Sequence, residues 1–482
     1  MKFINVAVII FFLLGTLGTV SGSWERNIGQ VDIQNPFNDH PKHLFQLIPS
    51  NYRHRPIIEF FTGLSCPACM SGPHQDFDKL WVENGENPEQ PFTFVVFHEL
   101  NGGGVDDLAN DETKARMQYY QPGVAGTPDA EFDGGYIKLG GLSTNSISYN
   151  SASQAVEDCK NRYKRSINPL HPLQSLRNEF KFVELFIDQV FTGEGFAVSV
   201  SVRYLGMDTL VSLQNLRAGL YVFMIEDNVE AYSKALDENV INHNVFRGYA
   251  ISDQEFTLDV DETYTTTVEW KIPEITVPIK PGDITAVAAV YDLDDTNSEN
   301  GNSGNDAQVP RCIQSATPKS TAYDKNNDVP VVSKVELDYH GELKINAELD
   351  DANGISKAFV LYTINAENST SWSFEEMEIS GEEVCDDSGV CYAYSDSIAT
   401  GSIPLETGET IYLIFLVYDG AGVESGGLGA QGKSGLYNYT SFGKSQAGLA
   451  GGLFSLEVIG VVIAICFFLF IIIYVVKIRK KK

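Results

Sequence analysis

PIIEFFTGLSCPAC, residues 56–69, is the stretch that decides how the first part of the chain is interpreted. Its first six residues form an apolar run typical of a buried strand. A Cys-x-x-Cys pair, Cys66 and Cys69, follows where a helix is predicted to begin. Such a pair serves redox chemistry, zinc binding or a structural bridge, and the chain has no second Cys-x-x-Cys and no His pair with zinc-finger spacing. The pattern favours redox use, with Cys66 as the attacking thiol and Cys69 as the resolving thiol.

Residues 23–165 as a whole alternate strand-like and helix-like patterns. Residues 92–98 and 130–135 have the apolar pattern of strands, whereas residues 111–120 and 151–165 have helical patterns. Strands that alternate with helices predict an α/β domain whose sheet is covered on both faces.

A second motif, GTPDAEFDG at residues 126–134, joins the Cys-x-x-Cys stretch in a resemblance to a known family. Together the two stretches resemble the thioredoxin superfamily over about residues 45–165. The resemblance implies a cis peptide bond between Thr127 and Pro128 that faces the dithiol. It also implies that Thr127 and Pro128 contact an extended substrate, and that Pro128 belongs to the catalytic group.

Glu59 is a further catalytic candidate, because it resembles the family's buried acid that assists deprotonation of the resolving cysteine. It stands seven residues before Cys66, one more than the family's spacing, so proton shuttling and a structural role in the strand both stay open. Ser65 replaces the Trp that usually precedes the first cysteine. A copper site formed by Cys66, Cys69 and His98 is the weaker alternative, and no metal or cofactor is assigned.

The pattern changes near residue 166, where short strands with period-two alternation begin. They predict a β-sandwich domain over residues 166–320 and a second immunoglobulin-like β domain over residues 328–430. The predicted fold class is therefore multidomain: an α/β thioredoxin-like domain over residues 23–165, two mainly β domains of the immunoglobulin-like sandwich type, and one C-terminal transmembrane helix.

Hydrophobic segments near the two termini predict the topology. Residues 1–22 have the pattern of a secretory signal peptide. Residues 458–476 form an apolar run long enough to span a bilayer, which predicts a transmembrane helix at residues 457–476. A Gly/Ser-rich stretch over residues 431–456 is predicted to be a flexible linker. The basic residues 477–482 place the C-terminal tail in the cytosol. The net charge of −30 argues against binding of nucleic acid.

The remaining cysteines outside the predicted membrane span suggest structural disulfides. Cys385 and Cys391 flank a turn-forming sequence and are predicted to form a local bridge. Cys159 and Cys312 are left over; if both are oxidised, they would tie the first domain to the second. The sequons at Asn368 and Asn438 would mark glycosylated surface positions in a host that glycosylates.

The sequence thus supports two functional hypotheses. The first is a membrane-anchored thiol–disulfide oxidoreductase that acts on extracytoplasmic protein thiols or disulfides through Cys66 and Cys69, together with a redox partner. The second is a surface binding or adhesion protein in which the Cys66–Cys69 bridge is structural. Both place the bulk of the chain at the cell surface or in the ER lumen, with only the tail in the cytosol.

Overall fold

The fold is mainly β, with few helices. The computed structural model describes residues 52–85, 87, 89–99, 106–120, 126–141, 146–167, 180–207, 215–296, 309–325, 327–364, 372–385, 389–421 and 431–441. Strands contain 54% of these residues and helices 16%. All of them belong to one compact unit, residues 47–482.

The first part of the described chain contains short strands separated by helices. The strands are β1 (Ile57–Thr62), β2 (Thr93–His98), β3 (Asp129–Phe132) and β4 (Ile137–Gly140). The helices are α1 (Pro67–Met70), α2 (Pro73–Gly85), α3 (Asp111–Tyr120) and α4 (Tyr149–Ile167). The predicted strand at residues 92–98 and the predicted helices at residues 111–120 and 151–165 are confirmed.

The later part consists almost entirely of strands, with the short helix α5 (Pro318–Asp324) between them. The strands before α5 are β5 (Lys181–Phe191), β6 (Gly195–Met207), β7 (Leu216–Glu226), β8 (Val229–Ser233), β9 (Glu238–Asn242), β10 (Val245–Leu258), β11 (Thr263–Lys271), β12 (Ile284–Asp292) and β13 (Arg311–Ala316). Those after it are β14 (Val331–Tyr339), β15 (Glu342–Asp350), β16 (Ile355–Thr363), β17 (Ser373–Glu376), β18 (Glu378–Cys385), β19 (Cys391–Pro404), β20 (Thr410–Asp419), β21 (Gln431–Lys433) and β22 (Tyr437–Thr440).

Eight of the described strands form one mixed sheet, in the order β13-β12-β7-β10-β2-β1-β3-β4. β1 and β2 are parallel, and β2 pairs on its other edge with β10, where Val96 lies opposite Val245. The N–H of Val96 donates to the carbonyl of Asn244 at 2.9 Å. The prediction of a separate α/β domain over residues 23–165 is therefore wrong. The sequence pattern could not reveal this, because β1 and β2 are buried on both faces whether the sheet is shared with later strands or is confined to the first domain.

The two faces of the sheet carry separate cores, because alternate residues of a strand point to opposite sides. Ile58 and Phe60 of β1 face α2 and α4, where they pack with Phe77. Ile57 and Phe61 face the other side, where α3 packs. That second core also includes large side chains from the later strands: Tyr221, Phe223, Phe246 and Tyr291.

Among the described residues, the later strands build three further sheets, of which the smallest is the hairpin of β8 and β9. β11, β6 and β5 form a three-stranded sheet, and β14, β15, β19, β16, β20 and β21 follow one another in the last sheet. Leu361 and Ile414 of the last sheet share a core with β5, β6 and β7. β21 and β22 both pair with β20, so the start of the predicted linker at residues 431–456 lies within a sheet. The β regions predicted at residues 166–320 and 328–430 therefore share a hydrophobic core.

Several predictions about the chain termini fall outside the described residues. They are the signal peptide at residues 1–22, the membrane span at residues 457–476 and the basic tail at residues 477–482. Within the described ranges, no helix combines the length and the apolar character needed to cross a bilayer.

Candidate dithiol site

The Cys66–Cys69 pair lies where β1 gives way to α1, and it forms a disulfide with a Cα–Cα distance of 5.3 Å. The two sulfurs differ in environment. Cys66 is partly exposed, whereas Cys69 is completely buried. The backbone N–H of Cys69 donates to Sγ of Cys66 at 3.2 Å. In the reduced protein this N–H would stabilise a thiolate at Cys66.

Thr127 and Pro128 reach this pair through β3. This strand pairs antiparallel with β1, and Phe61 lies opposite Asp129. The carbonyl and hydroxyl oxygens of Thr127 each lie 3.9 Å from Sγ of Cys66. The Thr127–Pro128 peptide bond is cis, as predicted. The structure therefore brings Thr127, with its cis bond to Pro128, to the sulfur of Cys66 although the two residues are 61 positions apart in the sequence.

Glu59 lies in a buried ionic cluster on the opposite face of the sheet from α2. Its carboxylate accepts two hydrogen bonds from Arg116, at 2.6 and 2.8 Å, and one from the Tyr291 hydroxyl at 2.8 Å. The Tyr120 hydroxyl donates to the same carboxylate. Burial would lower the pKa of Arg116, but Glu59 and the two tyrosines outweigh it and raise that pKa well above its ordinary value. These contacts support the structural role that the sequence left open, and not the proton shuttle.

A group of titratable side chains lies beneath the start of α2, and sequence reasoning missed it. His74 Nε2 lies 3.2 Å from Asp78 Oδ2 within the helix. Burial lowers the pKa of His74 to about 4 and raises the pKa of Asp78 to about 6. Nearby, His243 Nδ1 lies 2.7 Å from Asp227, and this hydrogen bond raises the pKa of His243. The only available sequence signal was the period of α2, which places His74 and Asp78 on one face.

Asp78→Asn is expected to raise the free energy of unfolding by about 1–2 kcal/mol at pH 7.5. Burial raises the pKa of Asp78 from 3.8 to about 6 in the folded protein. Above pH 6 the folded protein must therefore hold an unfavourable buried charge, which lowers the free energy of unfolding. This penalty disappears as the pH falls to 4, because the carboxyl is then protonated in the folded protein. Urea denaturation at pH 7.5 and at pH 4 measures the change, with Asp259→Asn in an exposed turn as the control. An equal gain at both pH values would contradict the assignment.

The hairpin formed by β8 and β9 packs on the loop that precedes Cys66. The carbonyl of Leu64 accepts hydrogen bonds from the Ser233 hydroxyl at 2.9 Å and from the N–H of Ala235 at 3.2 Å. Leu64 and Met70 share a small core with Val229, among others. Strands from well beyond residue 165 therefore help to position the dithiol, and no local motif in the sequence signals this contact.

Of the remaining cysteines, one pair forms a disulfide and the other two are free thiols. Cys385 and Cys391 form the expected local disulfide. Cys159 and Cys312 are free buried thiols, so the bridge that the sequence left open between them is not formed. The physical reason is their placement: Cys159 belongs to the core on the α2–α4 face of the sheet, and Cys312 to the core on the other face. Burial raises the pKa of both thiols well above its ordinary value.

The two sequons have different outcomes. Asn438 is exposed on β22, which suits a surface modification site. Asn368 lies outside the described residues. Glycosylation at either position stays a prediction.

Among the described residues, one group of metal-ligating types has its ligand atoms close together: Glu383, Cys385 and Cys391. The two cysteines share a disulfide, so they offer no thiolate to a metal. Cys66, Cys69 and His98, the alternative copper ligands, do not form such a group.

Comparison with known proteins finds no matching family model and no matching curated protein. Among solved structures, similarity is detected to HBP35 of Porphyromonas gingivalis, at 11% identity and a TM-score of 0.37, over 79% of this chain and 98% of that chain. It is also detected to the dimeric latent PorU of Porphyromonas gingivalis, at 8% identity and a TM-score of 0.18, over 54% of this chain and 24% of that chain. Similarity at these levels assigns neither fold nor function.

The resemblance to the thioredoxin superfamily is corrected by these findings. No family model matches the chain, and the described residues are mainly β. The strands that the resemblance placed in a separate α/β domain are half of an eight-stranded sheet whose other half comes from residues 216–316. Function is therefore argued from the dithiol geometry alone.

Proposed function

We propose that the protein is a thiol–disulfide oxidoreductase that acts on protein thiols or disulfides through Cys66 and Cys69. The asymmetry of the pair carries the proposal. Cys66 is partly exposed and its sulfur accepts the N–H of Cys69, whereas Cys69 is buried. A client can therefore reach Cys66 first, and Cys69 is held where it can attack a mixed disulfide at Cys66.

The exchange needs only the pair and a client dithiol. A client thiolate attacks Sγ of Cys66, the Cys66–Cys69 bond breaks, and Cys69 leaves as a thiolate that takes up a proton. The second client thiolate then attacks the client sulfur of the mixed disulfide and releases Cys66. Two electrons pass from the client to the pair, and the client becomes a disulfide. The same steps in reverse reduce a client disulfide, and an external redox partner then restores the pair.

The proposed setting is a single-pass membrane protein at the cell surface or in the ER membrane. Residues 1–22 direct secretion, residues 457–476 anchor the chain in the bilayer, and residues 477–482 remain in the cytosol. The clients are then extracytoplasmic proteins, in a compartment where disulfides persist. The net charge of −30 is consistent with a soluble extracytoplasmic surface.

Cys69→Ser is expected to accumulate mixed disulfides with clients, because Cys66 can still attack but nothing resolves the product. Membranes from cells that express the variant, treated with acid and an alkylating agent, should show reductant-sensitive adducts by non-reducing electrophoresis. The matched control is Cys66→Ser, which retains the buried thiol and should yield none. Adducts that are absent from Cys69→Ser, or equally abundant in both variants, would refute the proposal.

A surface binding protein with a structural Cys66–Cys69 bridge is the second candidate. Two observations favour it. The last sheet, β14 to β22, is large and partly exposed, and the Cys66–Cys69 pair is oxidised in this structure. Reactivity separates the candidates. In an oxidoreductase, mild reductant opens the bridge and alkylation near pH 7 labels Cys66 well before Cys69. A structural bridge resists the same reductant in the folded protein.

A further inference from the structure

A cavity of about 200 Å³ lies at the opposite end of β1 from the dithiol. It is enclosed by the segment that leads into β1, the loop before β2 and the C-terminal half of α4. Because β1 has six residues and a strand of that length extends about 17–20 Å, the cavity is separate from Cys66. The described residues that line it are Tyr52, Arg53, His54, Arg55, Glu89, Gln90, Pro91, Lys160, Tyr163 and Lys164.

Positive charge distinguishes this cavity from the rest of the chain. Lys and Arg account for 34 of the 482 residues, and the net charge is −30. In contrast, four of the ten described lining residues are Lys or Arg, and one is acidic. Cationic side chains that converge on a concave site raise the local positive potential and attract anions. The composition of the lining therefore indicates a ligand of negative charge.

The wall of the cavity is fixed by hydrogen bonds within the fold. The buried guanidinium of Arg55 donates to the carbonyl of Gln90 at 2.7 Å and pairs with Asp324 at 3.2 Å. Its charge is thus balanced, and it holds the loop before β2 in place. Gln314 fixes the opposite segment, since it accepts the N–H of Arg55 at 2.8 Å and donates to the carbonyl of Arg53 at 2.9 Å. A site whose walls are already ordered loses little entropy when it binds a ligand.

The most buried part of the lining includes the stacked rings of His54 and Tyr163, whose centroids lie 4.0 Å apart. His54 Nδ1 lies 3.0 Å from the carbonyl oxygen of Ile313, and Nε2 lies 2.7 Å from Asp133 Oδ2. Both ring nitrogens are therefore engaged within the fold. The charges that can meet a ligand are those at the rim of the cavity.

Three cationic side chains form this rim: Arg53, Lys160 and Lys164. Lys160 and Lys164 lie four residues apart on α4, so they project from the same face of the helix. Lys160 pairs with Glu157 at 3.1 Å, and Arg53 pairs with Glu89 at 2.9 Å. Exposed ion pairs of this kind contribute little, so an incoming anion can replace them. Lys164 has no ion-pair partner in the part of the chain that the structure describes.

We propose that this cavity binds a small molecule through a phosphate group, with Lys164 and Lys160 as the main charge partners. The lysine ammonium is a compact point charge that suits phosphate, and a phosphate monoester carries about 1.5–2 negative charges at neutral pH. Cavities for drug-sized ligands have volumes of about 300–1,000 Å³, so this smaller cavity suits phosphate or a short phosphate monoester. The site is independent of the proposed thiol–disulfide exchange.

The test is the melting temperature of the full-length protein in detergent micelles, measured against increasing inorganic phosphate or glycerol 3-phosphate at constant ionic strength. A ligand that binds only the folded protein raises the melting temperature in a saturable way. Lys164→Gln should weaken the apparent affinity about tenfold, because a charge-assisted hydrogen bond is lost. Lys164→Glu should abolish the saturable rise. The matched control is Lys114→Gln, an exposed lysine on α3, which should behave like the wild type.

A saturable rise in the wild type and in Lys114→Gln, weakened in Lys164→Gln and lost in Lys164→Glu, supports the proposal. The probe with the larger response identifies the source of the group, free phosphate or a monoester, and either result supports the site. Phosphate also stabilises proteins because it is excluded from their surface, an effect that does not saturate and should be equal in all variants. A rise of that kind alone, or a saturable rise that both Lys164 variants retain, overturns the proposal. Because Lys164 is exposed, both variants should fold, and their melting temperatures without phosphate check this.

Discussion

Residues 47–167 expressed alone are expected to show no cooperative unfolding transition, although sequence patterns assign them to one domain. Truncation there removes β10 from the edge of β2 and uncovers Phe61 and Phe97, which are at most 1% exposed in the whole chain. Phe97 packs against Phe246 in a tilted arrangement, with ring centroids 4.8 Å apart. Each such side chain contributes about 1.5–3 kcal/mol through burial. Exposing four or five of them removes most of a typical domain stability of about 5–15 kcal/mol.

The comparison fragment is residues 47–325, which retains every strand of the eight-stranded sheet. It should unfold cooperatively, with lower stability than the whole chain because Leu361 and Ile414 no longer cover its outer core. Near-UV circular dichroism and urea denaturation of the two fragments measure the difference. A cooperative transition in residues 47–167 would show that the shared sheet is dispensable and would restore the separate domain predicted from the sequence.

Local structure could be predicted well from the sequence, and the dithiol with it. The apolar runs identify β1 and β2, the helical period identifies α3 at residues 111–120, and the Cys-x-x-Cys motif places both sulfurs at the start of a helix. The bridge between Cys385 and Cys391 is also local, because the two cysteines are only 6 positions apart in the sequence. In each case the deciding interactions join residues close together in the chain.

Partners distant in sequence could not be predicted, because periodicity shows that a face is buried without showing what buries it. β2 is apolar on both sides, which suits helices, and yet its free edge takes β10. Cys159 and Cys312 are the two cysteines left over in the sequence, and yet each packs into a different core. Asp106 Oδ2 lies 3.1 Å from His98 Nδ1, a contact that needs both β2 and the segment before α3 to be in place.

Glu59 illustrates the same limit at the level of charge. A single acid inside an apolar strand indicates a buried carboxylate, and two roles were compatible with that pattern. Its partner Arg116 lies 57 residues away on α3, and a second donor, Tyr291, lies 232 residues away on β12. Only the folded chain shows that Oε1 accepts hydrogen bonds from Arg116, Tyr120 and Tyr291, and that Oε2 accepts one from Arg116. The cluster joins two strands of the shared sheet, β1 and β12, to the covering helix α3. A substitution in the cluster therefore tests how these elements are held together.

Arg116→Met is expected to lower the free energy of unfolding by about 3–5 kcal/mol, because it leaves the Glu59 carboxylate buried without its cation. Arg116 and Glu59 are at most 2% exposed and lie 2.6 Å apart, so water cannot compensate for the loss. Urea denaturation measures the change.

The double variant Glu59→Gln with Arg116→Met is the control. It retains a polar group for the hydrogen bonds from Tyr120 and Tyr291 but removes both charges, so it should recover at least half of the lost free energy of unfolding. Equal losses in the single and double variants would mean that the packing of the arginine, and not its charge, stabilises the sheet. Alkylation of reduced Cys66 should keep its pH dependence in the double variant, since Glu59 lies on the face of the sheet opposite α2.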